Sequence, residues 1–60
     1  MQKVICIYTG RRLNVGSIYY INLGSICSDS DGDWYANVYE DDKQDIWIGR
    51  YRLEHFKSVI

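Results

Sequence analysis

The apolar residues of this chain come in short runs, and each run is closed by turn-forming residues. VICIY spans Val4–Tyr8, SIYYI spans Ser17–Ile21, DWYANVY spans Asp33–Tyr39 and DIWIG spans Asp45–Gly49. Between them stand TGRRLNVGS, SDSDG and EDDKQ. No stretch repeats its apolar residues at the three- and four-residue intervals of a helix face, and proline is absent. β-branched and aromatic side chains suit a pleated, half-buried surface, so this punctuation predicts an all-β domain. At 60 residues, 47% of them hydrophobic, the chain is too apolar for disorder and forms one domain, 1–60.

Five strands are expected. The first covers Gln2–Tyr8, and a loop opened by Gly10 follows, in which Leu13 and Val15 cover the end of the core. The second covers Ser17–Cys27, with Tyr19, Ile21 and Leu23 on one face, Ile18 and Tyr20 on the other, and Gly24 marking a bulge or bend. SDSDG is a hairpin turn in which aspartates bond their own backbone and Gly32 supplies a positive φ. The third strand, Asp33–Glu40, places Trp34, Ala36 and Val38 toward the core and Tyr35, Asn37 and Tyr39 outward. EDDKQ is the next turn. DIWIG is a short fourth strand with Ile46 and Ile48 inward and Trp47 outward. RYRLEHF, Arg50–Phe56, has the length of one helical turn with Leu53 and Phe56 on the core. HFKSVI, His55–Ile60, closes the domain as a fifth strand.

This order resembles the Src homology 3 (SH3) fold: a small five-stranded barrel with one helical turn before the last strand. DGDWYANV at Asp31–Val38 is similar to the acidic turn and aromatic pair that open the third strand of eukaryotic SH3 domains. IGRYRLE at Ile48–Glu54 falls at the family's fourth-strand end and helical turn. KVICI, LNVGSIYYI and the Tyr-rich strand with its acidic turn also resemble short SH3-like proteins of bacteria and their phages. Together these matches span nearly the whole chain, and they imply a fold more than a function. Two departures count against proline-rich peptide binding. The first loop carries Arg11 and Arg12 where peptide-binding SH3 domains are acidic, and Gly49 stands where they have a groove proline. Either Trp34 or Tyr35 takes the groove position, with strand alternation favouring Tyr35.

The densest chemistry is DSDGDWYANVYEDD, Asp29–Asp42. As an EF-hand loop begun at Asp29 it would place Asp31, Asp33 and Glu40 on ligand positions, but Trp34 occupies the required glycine position and the flanks read as strands. Solvated turns with capping aspartates are the simpler expectation. Imitation of a polyanion by Asp29, Asp31, Asp33, Glu40, Asp41, Asp42 and Asp45 requires the two turns to lie side by side. Cys6 and Cys27 fall in apolar strand patterns, so buried thiols are expected rather than one disulfide. With His55 the only histidine, no zinc set can be built. No cofactor or metal is expected, and no enzyme, because nothing forms a nucleophile–base pair. A net charge of −1 gives no broad field toward nucleic acid or membrane. No export signal or membrane-length run is visible, which points to the cytoplasm.

What remains is surplus aromatic surface. Tyr8, Tyr20, Tyr35, Tyr39, Trp47 and Tyr51 are expected outside, more rings than cross-strand pairing alone requires. The function expected is non-catalytic protein binding through Tyr8, Arg11, Arg12, Tyr35, Trp47 and Tyr51. The phage resemblance implies modulation of a host protein. The alternative is a nucleic-acid accessory protein using Arg11, Arg12, Arg50 and Arg52, with bases stacking on neighbouring rings.

Overall fold

The computed structural model describes residues 2–43 and 45–59, and these form an antiparallel six-stranded sheet with two 3-10 turns. The strands are β1 (Gln2–Cys6), β2 (Ile18–Ile21), β3 (Cys27–Ser28), β4 (Trp34–Tyr39), β5 (Trp47–Arg52) and β6 (Phe56–Ser58). The expected positions of Gln44 and Ile60, in the second turn and the last strand, lie outside the described residues. β1 pairs with both β2 and β6. β4 has β5 along one edge, while β2 and β3 share its other edge.

That sharing explains why there are six strands rather than five. The segment Ser17–Cys27, expected as one strand, breaks after Ile21 into a 3-10 turn at Leu23–Ser25. Asn22 causes the break. Its side chain accepts from the Gly24 amide at 2.9 Å, and its carbonyl accepts from the Ser25 amide and hydroxyl. Short polar side chains compete with a ladder in this way. Ser25 Oγ then accepts from the Asn37 amide at 2.9 Å, replacing the bond that β4 loses where β2 departs. Leu23, expected on one face with Tyr19 and Ile21, is exposed on this turn while those two are buried.

The core is assembled from one face of every long strand. Val4, Cys6, Leu13, Tyr19, Ile21, Ala36, Val38, Ile48 and Phe56 are buried, and Ile26, Tyr51 and Leu53 pack against them. Ala36 and Val38 have no exposed surface, as their alternation in the third strand predicts. Tyr19 meets Phe56 edge-to-face at 6.1 Å between ring centres, and its hydroxyl accepts from the Asn14 amide. Three expected core residues are outside: Trp34 at the mouth of β4, Ile46 before β5, and Val15 in the first loop.

β5 holds the largest departure from expectation. RYR continues the strand to Arg52, and only Leu53–His55 form the 3-10 turn. Trp47 faces Tyr39, yet Gly49 faces Val38, so Ile48 is an extra residue in the ladder. Such a bulge resets the alternation. Beyond it Gly49 and Tyr51 fall on the core face, opposite Val38 and Ala36, while Arg50 and Arg52 fall on the outer face opposite Asn37 and Tyr35. Tyr51, expected outward, is therefore half-buried, edge-on to Phe56.

Candidate functional site

The first loop and β5 face each other, and the residues between them form a concavity with three arginines in its lining. Leu13 anchors the loop in the core, and the Leu13 amide donates to the Gly10 carbonyl to close a four-residue turn. Arg12 sits in that turn at φ 65°, a left-handed conformation uncommon for a residue with a Cβ. Two bonds fasten the loop to β5. The Arg12 guanidinium donates to the Ile48 carbonyl at 2.9 Å, and the Tyr51 hydroxyl donates to the Arg11 carbonyl. Between them lies an open groove of about 460 Å³ lined by Arg11, Arg12, Trp47, Ile48, Gly49, Arg50 and Tyr51. Gly49 lies close under the neighbouring ring: a Cβ there would stand 3.1 Å from Tyr51, so the ring would have to give by a few tenths of an ångström.

Four of the six residues expected to bind thus meet in one groove: Arg11, Arg12, Trp47 and Tyr51. Trp47 is 54% exposed, with its indole N–H 3.4 Å from Asn37 Oδ1 and Tyr39 directly across the ladder. Tyr35 lies further along the outer face, in a second hollow of about 300 Å³ with Ser28, Asp29 and Arg50. Arg50 borders both hollows. Its guanidinium is 6.0 Å from the centre of the Tyr35 ring and contacts Cys27 Sγ. Cys27, expected buried, is only half-buried, while Cys6 is fully so; both thiols are free. Tyr8 lies apart from the groove. It is 60% exposed, and its carbonyl accepts from Cys6 Sγ at 3.0 Å and lies 3.3 Å from His55 Nδ1. Trp34 lines a third, shallow hollow with Arg52 and Glu54.

Arg50 was expected only in the nucleic-acid reading, because RYR was read as part of a helical turn. The polar–aromatic–polar alternation of RYR is the signal that marks it as strand.

The electrostatics divide the arginines. Arg52 pairs with Asp33 at 3.4 Å and Glu54 at 3.6 Å, and its Nε lies 3.3 Å from the Tyr35 hydroxyl. Among the described residues, Arg11, Arg12 and Arg50 form no ion pair with a carboxylate. Two of the aspartates cap their own turns. Asp29 Oδ1 accepts from the Asp31 and Asp33 amides, both at 3.0 Å, and Gly32 takes φ 86°. Desolvation works against the Asp29 charge, but bonds from the Asp33 amide, the Tyr35 hydroxyl and the Asp31 amide, with Arg52 nearby, outweigh it and hold the carboxyl below its ordinary 3.8. Asp41 caps the second turn by accepting from the Asp45 and Ile46 amides at 3.0 Å.

These turns lie at opposite ends of β4, six residues or roughly 20 Å apart. Side-by-side presentation of seven carboxylates is therefore ruled out, and polyanion imitation with it. No three His, Cys, Asp or Glu side chains converge among the described residues to hold a metal, and no described helix is long and apolar enough to cross a membrane. No protein-family model matches the chain, and no significant match is found among curated proteins or solved structures.

Proposed function

We propose that this chain is a non-catalytic protein-binding module, built as a small SH3-like barrel, whose contact surface is the β5 groove and the adjoining outer face of β4 and β5. Support for the barrel comes from the strand order. β1 joins β2 to β6, the β2–β3 segment bends across β4, and a 3-10 turn precedes the final strand. The observation that carries the binding reading is Trp47, a large ring held half-exposed beside Arg11, Arg12 and Arg50. Trp, Tyr and Arg dominate binding energy at protein interfaces because they give large contact area for little lost entropy. The resemblance to short phage and prophage barrels supplies the setting, modulation of a host protein in the cytoplasm.

The immobilised chain is expected to retain one dominant protein from a host lysate. Trp47→Ala should lose it while the circular dichroism spectrum is unchanged. Equal retention by wild type and Trp47→Ala would remove the groove from the reading. Nucleic-acid binding is the second reading, favoured by the same three arginines around an exposed indole. It requires a salt-sensitive gel shift that Arg11→Glu with Arg12→Glu abolishes.

A further inference from the structure

We infer that the β5 groove receives a short, extended, acidic segment of the partner protein, with its carboxylates on Arg11 and Arg12 and its apolar residues on Trp47 and Tyr51. The inference rests on the protein-binding reading and adds the chemistry of the ligand.

Charge complementarity is the first argument. The groove is lined by Arg11, Arg12 and Arg50 and by no carboxylate, and since the Arg50 guanidinium turns away to Tyr35 and Cys27, its cationic groups are those of Arg11 and Arg12. Four of the acids that flank β5 have other partners: Asp33 and Glu54 bond Arg52, and Asp29 and Asp41 cap their turns. The planar guanidinium fork suits carboxylate, which it grips through two parallel bonds. The loop is also built ahead of binding. Arg12 is held in a left-handed turn, and the loop is bonded to β5 at Ile48 and through Tyr51, so little ordering cost falls on association.

The second argument separates a short acidic segment from a nucleic-acid strand. β5 is six residues long, roughly 20 Å, and seats a comparable length of extended chain. Beyond its Trp47 end lie Glu40, Asp41, Asp42 and Asp45, and beyond its Arg52 end lie Asp29, Asp31, Asp33 and Glu54. A polyanion that continues past either end of β5 approaches these carboxylates and is repelled by them. A segment that ends within the groove avoids them. The acidic turns thereby select for length as well as charge.

Selection from a displayed library of random peptides, about six residues each between flexible uncharged linkers, tests this directly. Enrichment of sequences with net negative charge and at least one large apolar residue is expected. A synthetic peptide of the enriched type should lose about tenfold or more in affinity for Arg11→Glu with Arg12→Glu. Both side chains are exposed, and an unchanged melting curve verifies the fold; Arg11→Glu alone is the fallback if the pair unfolds. Enrichment of basic, neutral or proline-rich peptides overturns the inference. So does no enrichment above a Trp47→Ala control, or tighter binding of a twelve-residue oligothymidylate than of the selected peptide. If the double variant still retains the lysate protein that Trp47→Ala loses, the binding module stands and the acidic ligand falls.

Discussion

At the scale of single residues, Asp29 shows how an acidic cluster can serve as scaffold. Its carboxylate terminates two amides and receives the Tyr35 hydroxyl, so the ionised form is the one the fold holds. Because the folded carboxyl titrates below its ordinary value, ionised Asp29 contributes stability in full at neutral pH. That contribution is lost as pH falls through 3.8 and below. Asp29→Asn should therefore flatten the fall of the urea midpoint between about pH 6 and pH 2; an unchanged slope would assign the acid sensitivity elsewhere. This role was legible in the sequence, since Asp before Gly in SDSDG is turn chemistry. The place of Trp34 was not. Alternation assigns it the core side, but at the first position of β4 no strand lies over it, and it is 55% exposed.

At the scale of elements, the second strand was the hardest to read. SIYYINLGSIC alternates well enough to pass as one strand, yet Asn22 and Ser25 make local bonds that bend it. Ser25 does two jobs, donating to the Asn22 carbonyl and accepting from the Asn37 amide of β4. Ser25→Ala leaves that part-buried amide without its acceptor, at a cost of about 1–3 kcal/mol. Faster hydrogen exchange at Asn37, with Tyr35 and Ala36 amides less affected, is the expected signature; Ser25→Thr should restore protection. The extent of β5 was hidden by the residues after it, because LEH has the length of a helical turn and draws RYR into the same reading.

At the scale of the whole molecule, nine buried residues among those described carry the core, and the radius of gyration is 10.5 Å. A domain this small rarely holds more than about 3–5 kcal/mol of net stability. Val38 pairs with Ile21 on one side and Gly49 on the other, and it has no exposed surface. Val38→Ala removes about 2 kcal/mol in lost burial and residual cavity, a large share of that reserve. The thermal midpoint should drop by roughly 10 °C or more, and a shift of only a degree or two would show that the core collapses around the gap. The all-β class and most core positions were readable from alternation. Strand order was not, because pairing between β1 and β6 joins residues at opposite ends of the chain, and no local pattern records it.

The extra residue at Ile48 also governs how descendants of this chain can diverge. Insertions in the acidic turns lengthen a loop and leave both faces of the sheet as they are. Loss of Ile48 itself closes the ladder with Gly49 still opposite Val38, at the cost of a buried side chain, whereas gain or loss of one residue between Gly49 and Arg52 exchanges the faces beyond it and sends an arginine toward the hydrocarbon interior. Sequence drift can rewrite the outer-face letters of β5 one at a time, but beyond the bulge it has to preserve their count.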